Sequence, residues 1–136
     1  MFLQKRMLST IACVVMNLPF IANADPSLTT TNNTNYNSAV KVISSPIKPC
    51  SGQIGEYTPA HQEKTTTWNN VKILCLGSGS LCRAEIYMTK DCTGAAVAVA
   101  SLDLSNPNVT VEQILNSSYN ITANGTHVFL NMTSHG

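Results

Sequence analysis

Apolar and polar residues alternate most clearly between Cys82 and Met88. Cys82, Ala84, Ile86 and Met88 fall on one side, Arg83, Glu85 and Tyr87 on the other. That period of two is expected of a half-buried strand. Just before it, Val71, Ile73 and Cys75 share a side opposite Lys72, which predicts a strand over Val71–Leu76. Gly77-Ser78-Gly79-Ser80 would then close a four-residue hairpin loop, with Leu76 against Leu81 and Cys75 opposite Cys82. The two apolar sides coincide in this register, so a Cys75–Cys82 bridge is expected. Asp91-Cys92-Thr93-Gly94 reads as a turn, and Ala95–Leu104 as a strand folding back on Cys82–Met88.

The remaining pattern is weaker upstream and stronger downstream. Ala39–Ser44 predicts a first strand, and Pro46 and Pro49 confine the residues after it to an edge or a loop. Ser51 to Asn70 reads as a long loop tied down by Cys50, with a short strand hidden around Glu56–Thr58 or Thr65–Trp68. Ser105-Asn106-Pro107-Asn108 is a turn. Val109–Leu115 is read as a strand, although Thr110-Val111-Glu112-Gln113 also fits a capping box. Tyr119–Ala123 and Thr126–Leu130 flank Asn124-Gly125, a strong hairpin signal. A type I′ turn there sets Ala123 against Thr126, Ile121 against Val128 and Tyr119 against Leu130. The expected fold is all-β: a small antiparallel sandwich or partly closed barrel of about six to eight short strands.

The ends of the chain change the picture. Lys5 and Arg6, the apolar run Met7–Ile21 and Ala22-Asn23-Ala24 have the order of a secretory signal peptide, cleaved after Ala24. A lipoprotein site at Cys13 fits less well, because Thr10 stands where an aliphatic residue is wanted. Residues 25–38, rich in Thr and Asn, carry little apolar surface and read as a flexible lead-in. A single β domain is expected over 39–132, with a frayed tail at 133–136. Removing the signal leaves six basic residues against seven acidic ones, so nucleic acid is not an expected partner. No further apolar run approaches membrane-spanning length, so no membrane insertion is expected after cleavage.

The signal also removes Cys13, leaving Cys50, Cys75, Cys82 and Cys92. In a small exported domain these read as two disulfides. With Cys75 joined to Cys82, Cys50 pairs with Cys92 by elimination. Two further connectivities are open to four cysteines.

The search for catalytic and metal chemistry yields no constellation. Gly77-Ser78-Gly79-Ser80 is neither a nucleophile elbow nor a phosphate loop. His61, Glu63, His127 and His135 form no recognisable ligand set, and the carboxylates are scattered one at a time along the chain. No cofactor and no metal are expected. Candidate binding residues are Tyr87 beside Arg83 on the polar side of its strand, with Tyr57 and Trp68. Trp68 is also expected to cap the core. Asn32, Asn108, Asn116, Asn120, Asn124 and Asn131 each open an N-x-S/T sequon, which matters only in a eukaryotic secretory pathway.

The export signal, the paired cysteines, the Thr/Asn-rich lead-in and the segments Cys82–Met88 and Asp91–Gly94 resemble small disulfide-containing β proteins exported by Gram-negative bacteria. The resemblance implies a periplasmic or secreted location. The leading expectation is a non-enzymatic binding or interaction module with a protein or glycan partner, of a kind associated with virulence. The alternatives are a small secreted hydrolase or inhibitor-like protein with a loop-built site, and a surface-fibre subunit using β-strand addition.

Overall fold

Alternation along the described residues, 26–134 of a computed structural model, resolves into two four-stranded sheets packed face to face. The strands are β1 (Ser27–Asn32), β2 (Ala39–Val42), β3 (Glu63–Thr67), β4 (Leu81–Tyr87), β5 (Ala98–Asp103), β6 (Asn108–Ile114), β7 (Tyr119–Asn124) and β8 (His127–Met132). One sheet has the order β3-β1-β8-β7 and the other β2-β4-β5-β6. The barrel is not closed. Pairing is antiparallel except between β1 and β8, which run parallel. The signal peptide expected at 1–24 lies outside the described residues.

The core lies between the sheets. Val42, Cys82, Ala84, Ile86, Ala98, Ala100 and Leu102 face Ile121, Val128 and Leu130. Each comes from the apolar side of an alternating strand, as a sandwich requires. A second small cluster, Ala39, Cys50, Tyr87 and Cys92, lies on the outer side of the β2-β4 sheet.

Three sequence expectations are corrected. Val71–Leu76 is not a strand: Trp68–Leu74 is a helix, α1, whose first turn is capped by Thr67 Oγ1 accepting from Asn70 N at 3.3 Å. Trp68, Val71 and Leu74 are buried while Ile73 is 54% exposed. The true spacing is three, not two, and a six-residue window starting at Val71 could not show it. The reversal to β4 survives as a helix–turn–strand link, stapled by Cys75–Cys82 with Cα atoms 5.8 Å apart. The other disulfide joins Cys50 to Cys92.

The lead-in is not flexible over its length. Ser27–Asn32 is an interior strand, paired with β3 on one side and β8 on the other. β-Branched threonines favour the extended backbone without needing an apolar stripe. The turn after it is organised by Asn32 and Thr34, both buried. Asn32 Nδ2 donates to the carbonyls of Tyr36, Thr58 and Pro59 at 2.7, 3.2 and 3.2 Å. Its Oδ1 accepts from Thr34 N and Oγ1 at 3.0 and 2.7 Å.

The C-terminal hairpin is present with a different register. Asn124 pairs with His127, Ala123 with Val128, Ile121 with Leu130 and Tyr119 with Met132. The two turn residues are therefore Gly125 and Thr126. Gly125 has φ +61°, and Asn124 is not among the residues of positive φ, so the type I′ geometry is not used. A shift of two residues preserves the faces, which is why the apolar assignment is unaffected. In the expected frayed tail, Thr133 is tied by its N and Oγ1 to the carbonyls of Ser118 and Ser117 at 2.8 and 2.6 Å.

Candidate binding surface

Pairing registers decide which outward side chains meet. On the β2-β4-β5-β6 sheet, Lys41 lies beside Glu85, Arg83 beside Ser101, and Glu85 beside Val99. Arg83 and Tyr87 do share this face, but neither is free. Tyr87 is only 6% exposed, packed with Ala39 and the Cys50–Cys92 bridge. Its hydroxyl donates to Glu85 Oε1 at 2.7 Å. That bond to a carboxylate, reinforced by burial, holds the phenol above its ordinary pKa. The ammonium of Lys41 lies 5.5 Å from its ring centre. Arg83 donates through Nε and Nη2 to Glu112 Oε1 at 3.2 and 3.0 Å. Tyr57 packs against the Tyr87 cluster, with Lys90 Nζ 5.6 Å from its ring centre. Trp68 is 4% exposed and belongs to the core. The expected anchor Tyr87 is thus a structural residue under the Cys50–Cys92 cover, and Trp68 is interior.

The opposite outer face is built differently. β1 turns Leu28, Thr30 and Asn32 inward and Thr29 and Thr31 outward. β3 brings Thr65 beside Thr29 and Glu63 beside Thr31. β8 brings His127 beside Thr29 and Phe129 beside Thr31. β7 adds Asn124 beside His127 and Thr122 beside Phe129. The result is a face of hydroxyl, amide, carboxylate and imidazole groups around one phenyl ring, exposed or half-buried among the described residues.

A hydrogen-bonded chain runs across it. Thr31 Oγ1 donates to Glu63 Oε1 at 2.8 Å. With its hydrogen so used, the hydroxyl accepts from His127 Nε2 at 2.7 Å, which assigns the Nε2–H form. Thr29 and Thr65 hydroxyls meet at 3.0 Å, and Asn33 Nδ2 donates to Asn131 Oδ1 at 2.8 Å. His127 stacks on Phe129 with ring centres 4.1 Å apart and planes 15° from parallel. These contacts hold the side chains of the face to one another.

The Thr31 hydroxyl is not placed as an activated nucleophile. An activated hydroxyl would donate to the imidazole, whereas Thr31 donates to the carboxylate. His61 is elsewhere, its Nε2 2.6 Å from Asn35 Oδ1. Among the described residues no three His, Cys, Asp or Glu gather to hold a metal, and no helix is long and apolar enough to cross a membrane. The edge strand β3 carries Glu63 and Lys64, charges that oppose addition of a further strand.

Sequence reading missed this face because its members come from residues 29–31, 63–65 and 127–129. Only the β1–β3 and β1–β8 pairings bring them together. The available signal was the run of β-branched threonines, which marks a strand rather than a linker.

Comparison with known proteins places the chain. Residues 4–131 match the family model described as the type II secretion system substrate NttC. The crystal structure of the Legionella pneumophila type II secretion system substrate NttC superposes with a TM-score of 0.64 at 22% identity. The match covers 81% of this chain and 100% of that one, and at that identity it speaks for the fold. No curated protein matches. A type II secretion substrate is an exported protein that passes through the periplasm, which agrees with the export signal expected at the N-terminus. With nearly the whole length matched, this chain belongs to the NttC family of type II secretion substrates.

Proposed function

We propose that this secreted protein is a glycan-binding module and that its binding surface is the outer face of the β3-β1-β8-β7 sheet. The observation that carries the reading is the Glu63–Thr31–His127 hydrogen-bonded chain beside the stacked His127–Phe129 rings. A pyranose ring offers hydroxyls at its rim and C–H groups on its faces. The carboxylate, imidazole and amides match the hydroxyls as acceptors and donors, and the aromatic ring matches the C–H face. Glu63 puts a negative charge on the face, which favours neutral or amino sugars over acidic polysaccharide.

The reading is tested by glycan-array screening of the secreted protein, followed by calorimetric titration of the best ligand. Phe129→Ala and Glu63→Gln are each expected to weaken binding at least tenfold while leaving the thermal midpoint nearly unchanged. Failure to bind any neutral or amino glycan, or binding indifferent to both substitutions, overturns it.

A further inference from the structure

The core contains a feature that the outer face does not use. Between the sheets, on the side edged by β2 and β3, lies a cavity of about 70 Å³. Its walls include Leu28, Val42, Val71, Ala84 and Leu130, and they are predominantly apolar. Protein interiors are packed to crystal-like density with few voids of this kind. The β4 wall of the cavity contributes the small side chain of Ala84 between Cys82 and Ile86.

The rim is formed where the segment after Cys50 straps across the open side. Glu56 latches this strap: Oε1 accepts from Thr66 Oγ1 at 3.0 Å and Oε2 from Asn70 Nδ2 at 2.9 Å. Lys64 Nζ lies 3.4 Å from Glu56 Oε1 and donates to the carbonyl of Gly55 at 3.3 Å. Both rim charges are therefore spent on each other and on the strap. A charged ligand headgroup would find no free counter-charge, and would have to break the latch to obtain one.

We propose that this cavity is a binding site for the short alkyl end of a small uncharged amphiphile, a short-chain alcohol being the simplest example. Apolar walls exclude water and reward hydrocarbon. The volume is about half that of the ~150 Å³ apolar cavity that takes up benzene, so the fitting group is an alkyl chain rather than an aromatic ring. Beside the latched Glu56, the polar groups lining the cavity are hydroxyls, those of Ser38, Ser51, Thr58 and Thr66 among them. This site is separate from the sheet face, and its test does not depend on any glycan.

The experiment is methyl NMR of the secreted protein titrated with 1-butanol, and separately equilibrated with xenon. Saturable shifts confined to methyls that line the cavity, those of Leu28, Val42, Val71, Ala84 and Leu130 among them, are expected with both probes. Ala84→Leu should fill the cavity and abolish them, with a thermal melt showing that the variant folds. Val42→Ala enlarges the same space and should tighten 1-butanol binding at least threefold, so the proposal stays testable if Ala84→Leu does not fold. Shifts scattered over surface methyls, or a response that neither substitution alters, would overturn it.

Discussion

On the β2-β4-β5-β6 sheet the outward residues include a tyrosine buried beneath a disulfide; on the β3-β1-β8-β7 sheet they are exposed or half-buried and bonded to one another. The covered sheet carries Tyr87 beneath the Cys50–Cys92 bridge and Arg83 paired with Glu112. The open sheet carries Glu63, Thr31, His127 and Phe129, joined by hydrogen bonds and a ring stack, and none of them is buried among the described residues. Both sheets bury their inner faces in one core. The division shows how a small exported domain can separate its tasks. One outer face adds a second small core and a cross-link, and the other presents a hydrogen-bonded polar surface, the one proposed to bind glycan.

If that division is right, the largest stability loss comes from uncovering the covered sheet. Replacing Cys50 and Cys92 together by Ser opens a link between residues 42 apart in sequence. It should cost about 2–4 kcal/mol in urea unfolding, while ligand binding at the open face is retained in the folded fraction. Next in size is Asn32→Ala, which strips the partners from the buried turn joining β1 to the rest of the chain. The buried Thr34 N–H would lose its acceptor, and the carbonyls of Tyr36, Thr58 and Pro59 one hydrogen bond each, which should cost about 2 kcal/mol. Because Asn32 ends the strand that carries Thr31, this substitution should also disturb binding, which the cysteine replacement should not.

How much of the fold and of the open face was legible in the sequence depends on the range of the contacts. Cys82–Met88 declares its strand by itself, since its alternation is complete within seven residues. The two disulfides came from export, an even cysteine count and the coincidence of apolar sides, even though Cys75 sits at a helix end rather than in a strand. Val71–Leu76 misled because six residues can be read at period two or three, and only Trp68 and the Thr67 cap decide between them. Residues 27–32 misled more deeply. Their inner side holds Leu28, Thr30 and Asn32, so no apolar stripe marks it, and the strand exists because β3 and β8 pair with it. The open face inherits that difficulty: its three segments meet only through those pairings, and no local pattern announces that His127 will find Thr31.

A smaller effect sharpens the comparison through pH. Tyr87→Phe removes the hydroxyl donated to Glu85 and should cost about 1 kcal/mol near neutral pH. The native phenol is held above its ordinary pKa by that bond and by burial, so the native state favours the protonated form. Its contribution is complete below the ordinary tyrosine value of about 10 and is lost as pH rises through the higher native value. Wild-type stability should therefore fall more steeply than that of Tyr87→Phe at alkaline pH. Chemical unfolding at a series of pH values measures this, and parallel curves would show that Tyr87 is not a buried phenol bonded to Glu85.

The smallest stability effects make the strictest comparison, because one exposed residue from each face can be removed with little else changed. Arg83→Ala breaks an ion pair whose side chains are 48% and 33% exposed, and solvent screening limits its cost to about 0.5 kcal/mol. Thr31→Val keeps the β-branched shape that β1 needs and removes only the bridging hydroxyl. Glu63 can then accept a hydrogen bond from water and His127 Nε2–H donate one to it, so the cost in stability should again be about 0.5 kcal/mol or less. Binding should separate the two. Thr31→Val unlinks the carboxylate from the imidazole and should weaken the glycan complex about tenfold, or about 1.4 kcal/mol, whereas Arg83→Ala should leave it unchanged. Equal losses in the two variants would mean that the partner reaches both outer faces, and the division of labour between the sheets would not hold.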